Sequence, residues 1–363
     1  MSQIFELFGY LLSDDSQEAV RARRYARCPF MATDCDGGGN RPSSNIDLEH
    51  HPQLAEFFEN QKIVPSGICS LQLHPNESPW IVCPRRLLFL AKSGAGPQIR
   101  QQFTRDLLLR HSGYVPGTKL GIWPELRVTY RKKPKSFQYT LDYVLMPLKR
   151  QSQHKIEQET ENEWSQIRRL VESSGYSMAR RRGIDYVDDF PSGYPTIVEV
   201  MTSSTSGGNK AKRTTIPMAF EDAILGKPHK GPGINYRQVW ARMVSQLIVK
   251  SEVGLAWNGR TIWVLQDTLV DYISSSTALN IHQFLAKHTS EVNILSLSYG
   301  SSYQNTSGII ELKEGNLFSG PMSGSAVTKP SFQDMIRAPI LPPKSVLLYA
   351  LLKRSPTGTI RVS

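Results

Sequence analysis

A glutamate in the middle of an apolar strand is the first feature of the sequence that could do chemistry. Glu199 stands in the run Thr196-Ile-Val-Glu-Val-Met-Thr202, whose β-branched residues predict a buried strand. A carboxylate is costly to bury unless it is paired or holds a cation. The opposing interpretation is a solvent-facing glutamate, because alternation puts Ile197, Glu199 and Met201 on one face. The apolar neighbours of Glu199 and the Ser/Gly/Lys-rich loop after it favour a functional role.

An aspartate on an earlier strand supplies a second carboxylate. Asp142 lies in the run Phe137–Leu145, which alternates as a strand and forms a hairpin with Leu126–Tyr130 across a basic turn. Carboxylates that converge from neighbouring strands offer the hard oxygen ligands that Mg²⁺ prefers. An ion held in this way activates water and offsets negative charge in a phosphoryl-transfer transition state.

All four cysteines lie in the first quarter of the chain, at Cys28, Cys35, Cys69 and Cys83. Cys28 and Cys83 each precede a proline, and Cys35 stands in an acidic, glycine-rich stretch. Disulfides are disfavoured in the cytoplasm, and four thiolates suit the tetrahedral preference of zinc or of a single iron ion. The cysteines are therefore predicted to hold a structural metal, with four unrelated buried thiols as the alternative.

Periodicity predicts the elements that position these residues. Apolar spacing indicates an amphipathic helix at the N-terminus that ends at Asp14–Asp15, and further helices at 100–110, 150–174, 236–253 and 268–273. Strands are predicted at 126–130, 137–145, 196–202, 261–265 and 345–352. The mixture of hairpin, buried strand and helices indicates an α/β fold with one mixed β-sheet flanked by helices.

Three regions are predicted along the chain. Residues 1–115 form an N-terminal region around the cysteines, 116–325 form the core, and 326–363 form a C-terminal strand and tail packed on this core. No stretch approaches the ~18 uninterrupted apolar residues of a membrane span. The first residues lack the basic start and the cleavage site of a secretory signal. A cytoplasmic protein with no membrane partner is therefore expected.

The formal net charge of +11 and the pI of about 9.4 indicate a polyanionic partner. Candidate DNA contacts are the basic residues of the loop after the buried strand and of the helix at 236–253, namely Lys210, Lys212, Arg213, Arg237 and Arg242. Arginines on a helix can reach guanine edges bidentately. Each of these residues taken singly is equally consistent with solvated surface charge.

The order of these motifs resembles that of the NotI-like type II restriction endonucleases, within the PD-(D/E)XK nuclease superfamily. The resemblance spans about residues 25–265. Its anchors are the cysteine segment with two Cys-Pro pairs, Tyr139-Thr-Leu-Asp142-Tyr followed by Ile-Val-Glu199-Val-Met201-Thr202, and Gly231-Pro-Gly-Ile-Asn with the helix after it.

That resemblance implies a PD-(D/E)XK core in a Mg²⁺-dependent homodimer of a restriction-modification system. Such an enzyme cuts double-stranded DNA at a palindromic, GC-rich site, and the cysteines hold a structural iron. The resemblance also implies that Asp142 and Glu199 are the catalytic, magnesium-binding pair. Because the usual interval between the two carboxylates is shorter, Asp185 in Gly183-Ile-Asp185-Tyr is a rival for the first.

One position departs from the family pattern. The third catalytic residue of the family, a lysine or glutamine two positions after the glutamate, is Met201 here. A thioether neither orients water nor carries charge, so either Lys210 or Lys212 reaches in from the next loop or the site is weakened. The alternative function is therefore a catalytically weak or inactive DNA-binding protein stabilised by the cysteine metal. A third is a cysteine–metal scaffold without affinity for nucleic acid.

Overall fold

A computed structural model describes residues 2–38, 45–58, 61–90, 101–132, 135–300, 308–324 and 330–336. It has a mixed α/β architecture with a central mixed sheet flanked by helices, which confirms that part of the prediction. The predicted strand at 345–352 lies outside the described residues. Within these ranges, every helix is too short or too polar to cross a membrane.

The strands and helices of the described ranges follow in chain order. The strands are β1 (Gln3–Leu7), β2 (Tyr10–Leu11), β3 (Arg27–Cys28), β4 (Thr33–Asp34), β5 (Asn45–Asp47), β6 (Ile63–Pro65), β7 (Ile68–Gln72), β8 (Trp80–Ile81), β9 (Leu120–Lys132), β10 (Lys135–Ser152), β11 (Met178–Arg181), β12 (Ile184–Pro191), β13 (Thr196–Val200), β14 (Arg260–Gln266), β15 (Val292–Ser298) and β16 (Lys313–Gly320). The helices are α1 (Gln17–Arg24), α2 (Pro52–Phe57), α3 (Pro84–Leu87), α4 (Gln102–His111), α5 (Gln153–Thr160), α6 (Trp164–Ser173), α7 (Ile216–Ile224), α8 (Tyr236–Ala256) and α9 (Asp267–Ser276).

The central sheet has eight strands in the order β11-β12-β10-β13-β14-β15-β16, with β9 paired to β10. Strands β13, β14 and β15 run parallel, whereas β10 and β16 pair antiparallel with the outer two of them. Parallel neighbours need a crossover, and α8 and α9 provide the two that are required. The carboxyl ends of the parallel strands therefore lie together at one edge of the sheet.

Helices cover both faces of the parallel strands. On one face, Val198 and Val264 pack with Leu107 of α4. On the other face, Trp263 packs with Met243 of α8. Strands buried on both sides form near-continuous apolar runs, so alternation within β13 does not identify a solvent-exposed face.

The N-terminal residues form strands, so the predicted amphipathic helix is wrong. Strands β1 and β2 turn at Gly9, where φ is +83°, and β1 pairs with β7 in a four-stranded sheet of order β2-β1-β7-β8. The apolar residues Ile4, Leu7 and Phe8 fit a helical stripe as well as a strand. Glu6 does not fit the helix, because that pattern leaves it on the polar face and the structure buries it completely.

A buried ion pair explains why Glu6 is inside. Arg86, which is 3% exposed, donates to both carboxylate oxygens of Glu6 at 3.0 Å and to the carbonyl of Ile310 at 2.7 Å. The hydroxyls of Ser70 and Tyr299 also donate to this carboxylate. Every member of the network is satisfied, which is the condition under which a buried charge is tolerated. A contact between residues far apart in sequence thus decides the local structure of β1.

The N-terminal sheet and the central sheet share one hydrophobic core. Ile4 and Leu71 belong to the same buried cluster as Phe220 of α7 and the residues of α8 that face β14. The amide of Ser203 donates to the carbonyl of Ile81 at 3.0 Å, which ties the chain after β13 to the end of β8. The segment that follows β8 is therefore held beside the carboxyl end of β13.

Candidate active site

Asp142 and Glu199 lie side by side near the end of β13. Strands β10 and β13 pair antiparallel with Tyr143 opposite Val198, so the two acidic residues occupy the next position of the ladder. The amide of Asp142 donates to Oε1 of Glu199 at 3.3 Å, and the amide of Val200 donates to Oδ2 of Asp142 at 2.9 Å. Two carboxylates from neighbouring strands thus meet at one point.

Glu199 is buried beneath α8 and paired with a lysine. It shares a face of β13 with Ile197, which packs against Val253 of α8. Nζ of Lys250 lies 2.5 Å from Oε2 of Glu199, and the two residues are 4% and 1% exposed. The interpretation of Glu199 as a solvent-facing residue is therefore wrong, because α8 covers that face of the sheet.

The surroundings of Glu199 disfavour its charged form. Burial and the neighbouring carboxylate of Asp142 raise the pKa of Glu199 to about 8, although Lys250 acts in the opposite direction. Desolvation penalises a charge, and a like charge close by adds to the penalty. Carboxyl groups shifted in this way at a cleft are characteristic of functional sites. An added cation would stabilise the ionised pair.

A cleft of about 330 Å³ opens beside the two carboxylates. It lies at the carboxyl end of the parallel strands, which is where open α/β sheets bind their ligands. Its lining comes from the central sheet, from α8 and from the segment around α3, and comprises Gly38, Pro84, Arg85, Leu88, Glu125, Asp142, Tyr143, Glu199, Val200, Met201, Thr202, Arg242, Gln246 and Trp263.

One face of α8 contributes three polar side chains to the site. Arg242, Gln246 and Lys250 follow one another at intervals of four residues, so they lie on the same side of the helix. Arg242 and Gln246 line the cleft, and Lys250 reaches the carboxylate of Glu199. Met201 also borders the cleft. The cation that contacts Glu199 is therefore supplied by α8 and not by the residue at position 201.

The segment after β8 adds positive charge to another part of the lining. Pro84 and Arg85 border the cleft, at the start of the short helix α3. The guanidinium of Arg85 donates to Asp36 at 2.9 Å and to Glu125 at 3.4 Å. These two contacts hold the arginine side chain at the cleft, where a bound phosphate would meet it.

The rival carboxylate, Asp185, lies away from this cleft. Its side chain accepts a hydrogen bond from Nε1 of Trp164 at 3.1 Å, within the small cluster formed by α5, α6, β11 and β12. Strand β12 pairs with β10 near Ser152, ten positions along β10 from Asp142, which corresponds to roughly 30 Å of strand. The structure therefore brings Asp142, and not Asp185, to Glu199.

The four cysteines form one buried cluster built from four segments. Cys28 lies in β3, Cys35 follows β4, Cys69 lies in β7 and Cys83 precedes α3. None of them is in a disulfide, and the side chains of Cys69 and Cys83 share a hydrogen bond. The structure thus brings together the four residues that the sequence nominated as a group.

Burial and mutual proximity keep these thiols neutral. Burial raises the pKa of Cys28 to about 12 and also raises the pKa of Cys35, and Cys83 adds to both shifts. For Cys69, the hydrogen bond with Cys83 is the largest cause of a raised pKa. The amide of Gly37 donates to Sγ of Cys35 at 3.4 Å, and amide donors of this kind also tune metal-bound sulfur.

The type of donor at this cluster fits a metal, whereas the spacing of the donors does not. Four thiols are the ligands that zinc, or a single iron, prefers. Across the described residues, however, no three His, Cys, Asp or Glu side chains are arranged so that they could hold a metal ion. A tetrahedral site would require the four sulfurs to move from these positions.

The lysines expected to replace the side chain at position 201 do not reach the cleft. Lys210 and Lys212 are exposed in the loop after β13, and neither is among the described residues that line the cleft. The expectation that one of them compensates for Met201 is therefore wrong. Lys250 on α8 is the lysine that reaches Glu199 instead.

The remaining predicted DNA contacts are Arg213, Arg237 and Arg242. Arg213 pairs with Asp222 at 2.7 Å and with Glu221 at 2.9 Å, and it is not among the described residues that line the cleft. The side chain of Arg237 lies outside the described residues. Arg242 is the predicted contact that borders the cleft.

Lys250 and Arg85 were not predicted from the sequence as residues of the site. Lys250 carried a signal, because the buried stripe of α8 runs through Val239, Met243 and Leu247 and continues at position 250. A lysine in line with an apolar stripe needs a buried partner. Arg85 carried no such signal, since the residues that hold it are distant in sequence.

Comparisons with known proteins do not assign this chain to a family. No family model matches the chain, and no curated protein is similar to it at a significant level. Its function is therefore inferred from the geometry of the site.

Proposed function

We propose that this protein is a Mg²⁺-dependent endonuclease that cuts double-stranded DNA at a specific palindromic site. The observation that carries the proposal is that Asp142 and Glu199 meet at one cleft while the buried Lys250 contacts Glu199. Two acidic residues and a lysine are the active-site set of the PD-(D/E)XK nucleases, which the order of sequence motifs also resembles. In this chain the lysine comes from α8.

The two carboxylates fit a magnesium ion. Among the described residues, Oδ2 of Asp142 accepts the amide of Val200, and Oδ1 has no hydrogen-bond partner. Mg²⁺ is commonly held by one or two carboxylates, with waters and phosphate oxygens in the remaining positions, so the pair formed with Glu199 is sufficient. When bound, such an ion lowers the pKa of water and offsets charge on the phosphoryl group.

Lys250, which contacts Glu199, and the two arginines that line the cleft have separate roles in this proposal. Lys250 is held in place by Glu199, so its ammonium group can orient the attacking water and stabilise developing negative charge. Arg85 and Arg242 border the same cleft and would bind phosphate oxygens of the DNA strand. Together they set the scissile phosphate against the two carboxylates.

Plasmid cleavage tests this assignment. Wild-type protein with Mg²⁺ is expected to cut at discrete sites, whereas Glu199→Gln and Asp142→Asn should each lose about a hundredfold or more of the rate. Both variants should still bind duplex DNA in Ca²⁺. Asp185→Asn is the matched control and should cut normally, because Asp185 lies in another cluster. Undiminished cleavage by Glu199→Gln would refute the proposal.

The competing function is a DNA-binding protein without nuclease activity, which Met201 motivates. The position of Lys250 argues against it, because this residue supplies the cation that Met201 lacks. The competing protein would retain duplex DNA with a strong dependence on salt. It would not nick this DNA in the presence of any divalent ion.

Two further parts of the proposal concern assembly and stability. We propose that Cys28, Cys35, Cys69 and Cys83 hold a structural iron or zinc ion, because their thiols converge from four segments into one buried cluster. We also propose a homodimer, since a palindrome presents the same sequence to two symmetric subunits.

A further inference from the structure

Strands β9 and β10 continue as a two-stranded ribbon beyond the central sheet. They pair in one register from Lys135 opposite Lys132 to Pro147 opposite Leu120, and the ladder skips Asp142. Strand β10 pairs with β13 at residues 143–145 and with β12 at 148–152. Among the described strands, β9 is therefore the sole partner of residues 135–141. We call residues 126–132 and 135–141 the ribbon.

The two faces of the ribbon differ in composition. Leu126 and Val128 on one face belong to the apolar cluster that includes Val253 of α8. The other face carries two cross-strand pairs, Arg127 opposite Thr140 and Thr129 opposite Gln138. All four side chains of this second face are exposed, and none has a hydrogen-bond partner among the described residues.

The ribbon is also strongly basic. Residues 126–132 and 135–141 include four basic residues, Arg127, Arg131, Lys132 and Lys135, and no aspartate or glutamate. A dense positive charge on a projecting element attracts a polyanion, because binding releases the counterions of its phosphates. Unused hydrogen-bonding groups on the same element suit a partner that offers donors and acceptors in a regular array.

The ribbon begins at the proposed catalytic centre. Thr140 is two residues from Asp142, and Gln138 is four residues from it. At about 3.3 Å per residue, Gln138 lies roughly 13 Å from Asp142 along the strand. With about 3.4 Å between base pairs, this distance corresponds to about four base pairs of duplex.

We infer that the ribbon enters a groove of double-stranded DNA and reads sequence beside the cut, with Gln138 and Arg127 as its principal contacts. A two-stranded ribbon fits the major groove. A glutamine there pairs with adenine, and an arginine with guanine or with phosphate. The inference rests on the proposed function for the position of the cut, whereas binding by the ribbon can be measured without cleavage.

Two substitutions on the polar face test the inference. Gln138→Ala should relax the preference at one base pair, about four from the cut, by about tenfold. Arg127→Ala should weaken binding to duplexes of any sequence in Ca²⁺. The slope of log binding constant against log salt concentration should fall by about 1, as expected for the loss of one phosphate contact. The matched control is Arg168→Ala, which removes one exposed arginine from α6. Both positions are exposed, so the variants should fold normally.

The outcomes separate the ribbon from the nuclease. If the wild type cuts DNA and both ribbon variants match Arg168→Ala in binding and in base preference, the ribbon inference is wrong and the nuclease proposal is retained. If the wild type does not cut DNA but Arg127→Ala binds duplex more weakly than the wild type, the ribbon is supported and the nuclease is overturned. A preference for single strands over duplex, or no binding to duplex DNA, overturns the ribbon.

Discussion

The ammonium group of Lys250 lies 2.5 Å from the carboxylate of Glu199, and both side chains are almost completely buried. One residue belongs to a strand of the central sheet and the other to the crossover helix that covers this strand. Removing either partner leaves a buried group without its counterpart, which is far more unfavourable than losing a surface pair. The pair is therefore the most sensitive point of the proposed site.

Replacing this lysine should separate catalysis from stability. Lys250→Met is expected to lower the cleavage rate about a hundredfold or more and to reduce the free energy of unfolding by about 3–5 kcal/mol. The double variant Glu199→Gln/Lys250→Met should regain part of that stability without regaining cleavage, because no buried charge is left unpaired. Single-turnover rates and urea denaturation of the folded variants measure the two effects.

Lys287→Met is the control for that experiment, since it removes an exposed lysine that does not line the cleft. A normal cleavage rate in folded Lys250→Met would show that the lysine is structural only.

The free energy of unfolding should depend on pH through Glu199. Its pKa is about 8 in the folded protein and 4.5 without the protein environment, so the folded state holds a proton more tightly than the unfolded state. The resulting stabilisation is complete below about 4.5, is lost as the pH rises, and is gone above about 8. The slope in this window reaches about 1.4 kcal/mol per pH unit.

Urea denaturation at a series of pH values measures this slope. Glu199→Gln should flatten it, because glutamine does not titrate. Saturating Mg²⁺ should flatten it too, since a bound cation favours the ionised carboxylate. If the slope is the same in Glu199→Gln and in wild type, another group is responsible.

The same substitution at two adjacent arginines should affect stability in one case and cleavage in the other. Arg86→Met breaks the buried pair with Glu6 and should lower stability by about 3–5 kcal/mol. Arg85→Met breaks contacts at the more open cleft and should change stability by at most about 1 kcal/mol, while lowering cleavage about tenfold. Denaturation midpoints and cleavage rates on the same preparations test this. Equal losses of stability in the two variants would contradict the different environments of these residues.

The cysteine cluster should contain metal when the protein is purified without chelators. Elemental analysis is expected to find about one iron or zinc ion per chain, as for a four-thiolate site. Cys83→Ser should abolish metal binding and lower Tm strongly, because structural zinc is worth roughly 10–16 kcal/mol in small modules. Asp142→Asn should keep the metal and the Tm. A metal-free wild type whose Tm is unaffected by chelator would leave the cluster as buried thiols.

Local patterns predicted the elements whose neighbours are close in sequence. The hairpin of β9 and β10, the buried strand β13 and the long helix α8 follow from periodicity, and all three are present. Strands β11, β12, β15 and β16 were missed, since edge strands and short apolar runs give a weak signal. The helix predicted at 150–174 is two helices, α5 and α6, separated by a turn.

Contacts across the fold determined what the sequence analysis missed. Glu6 lies inside because Arg86 and Tyr299 meet it there, and neither can be assigned to it from the N-terminal pattern. Asp142 was the favoured acid and Asp185 its rival, and strand pairing places Asp142 beside Glu199. The pairing of β10 with β13 is a long-range choice that no single motif encodes.

Four consecutive residues connect three parts of the molecule. Cys83 belongs to the thiol cluster, Pro84 and Arg85 border the cleft, and Arg86 is locked to Glu6. Cys83 is bonded directly to Pro84, so a displacement of Cys83 on oxidation would be transmitted to the proposed nuclease site. Arg86 is fixed by Glu6, so the segment cannot absorb this displacement at its other end. Oxidation of the cluster would then lower the proposed nuclease activity while leaving Asp142 and Glu199 chemically unchanged.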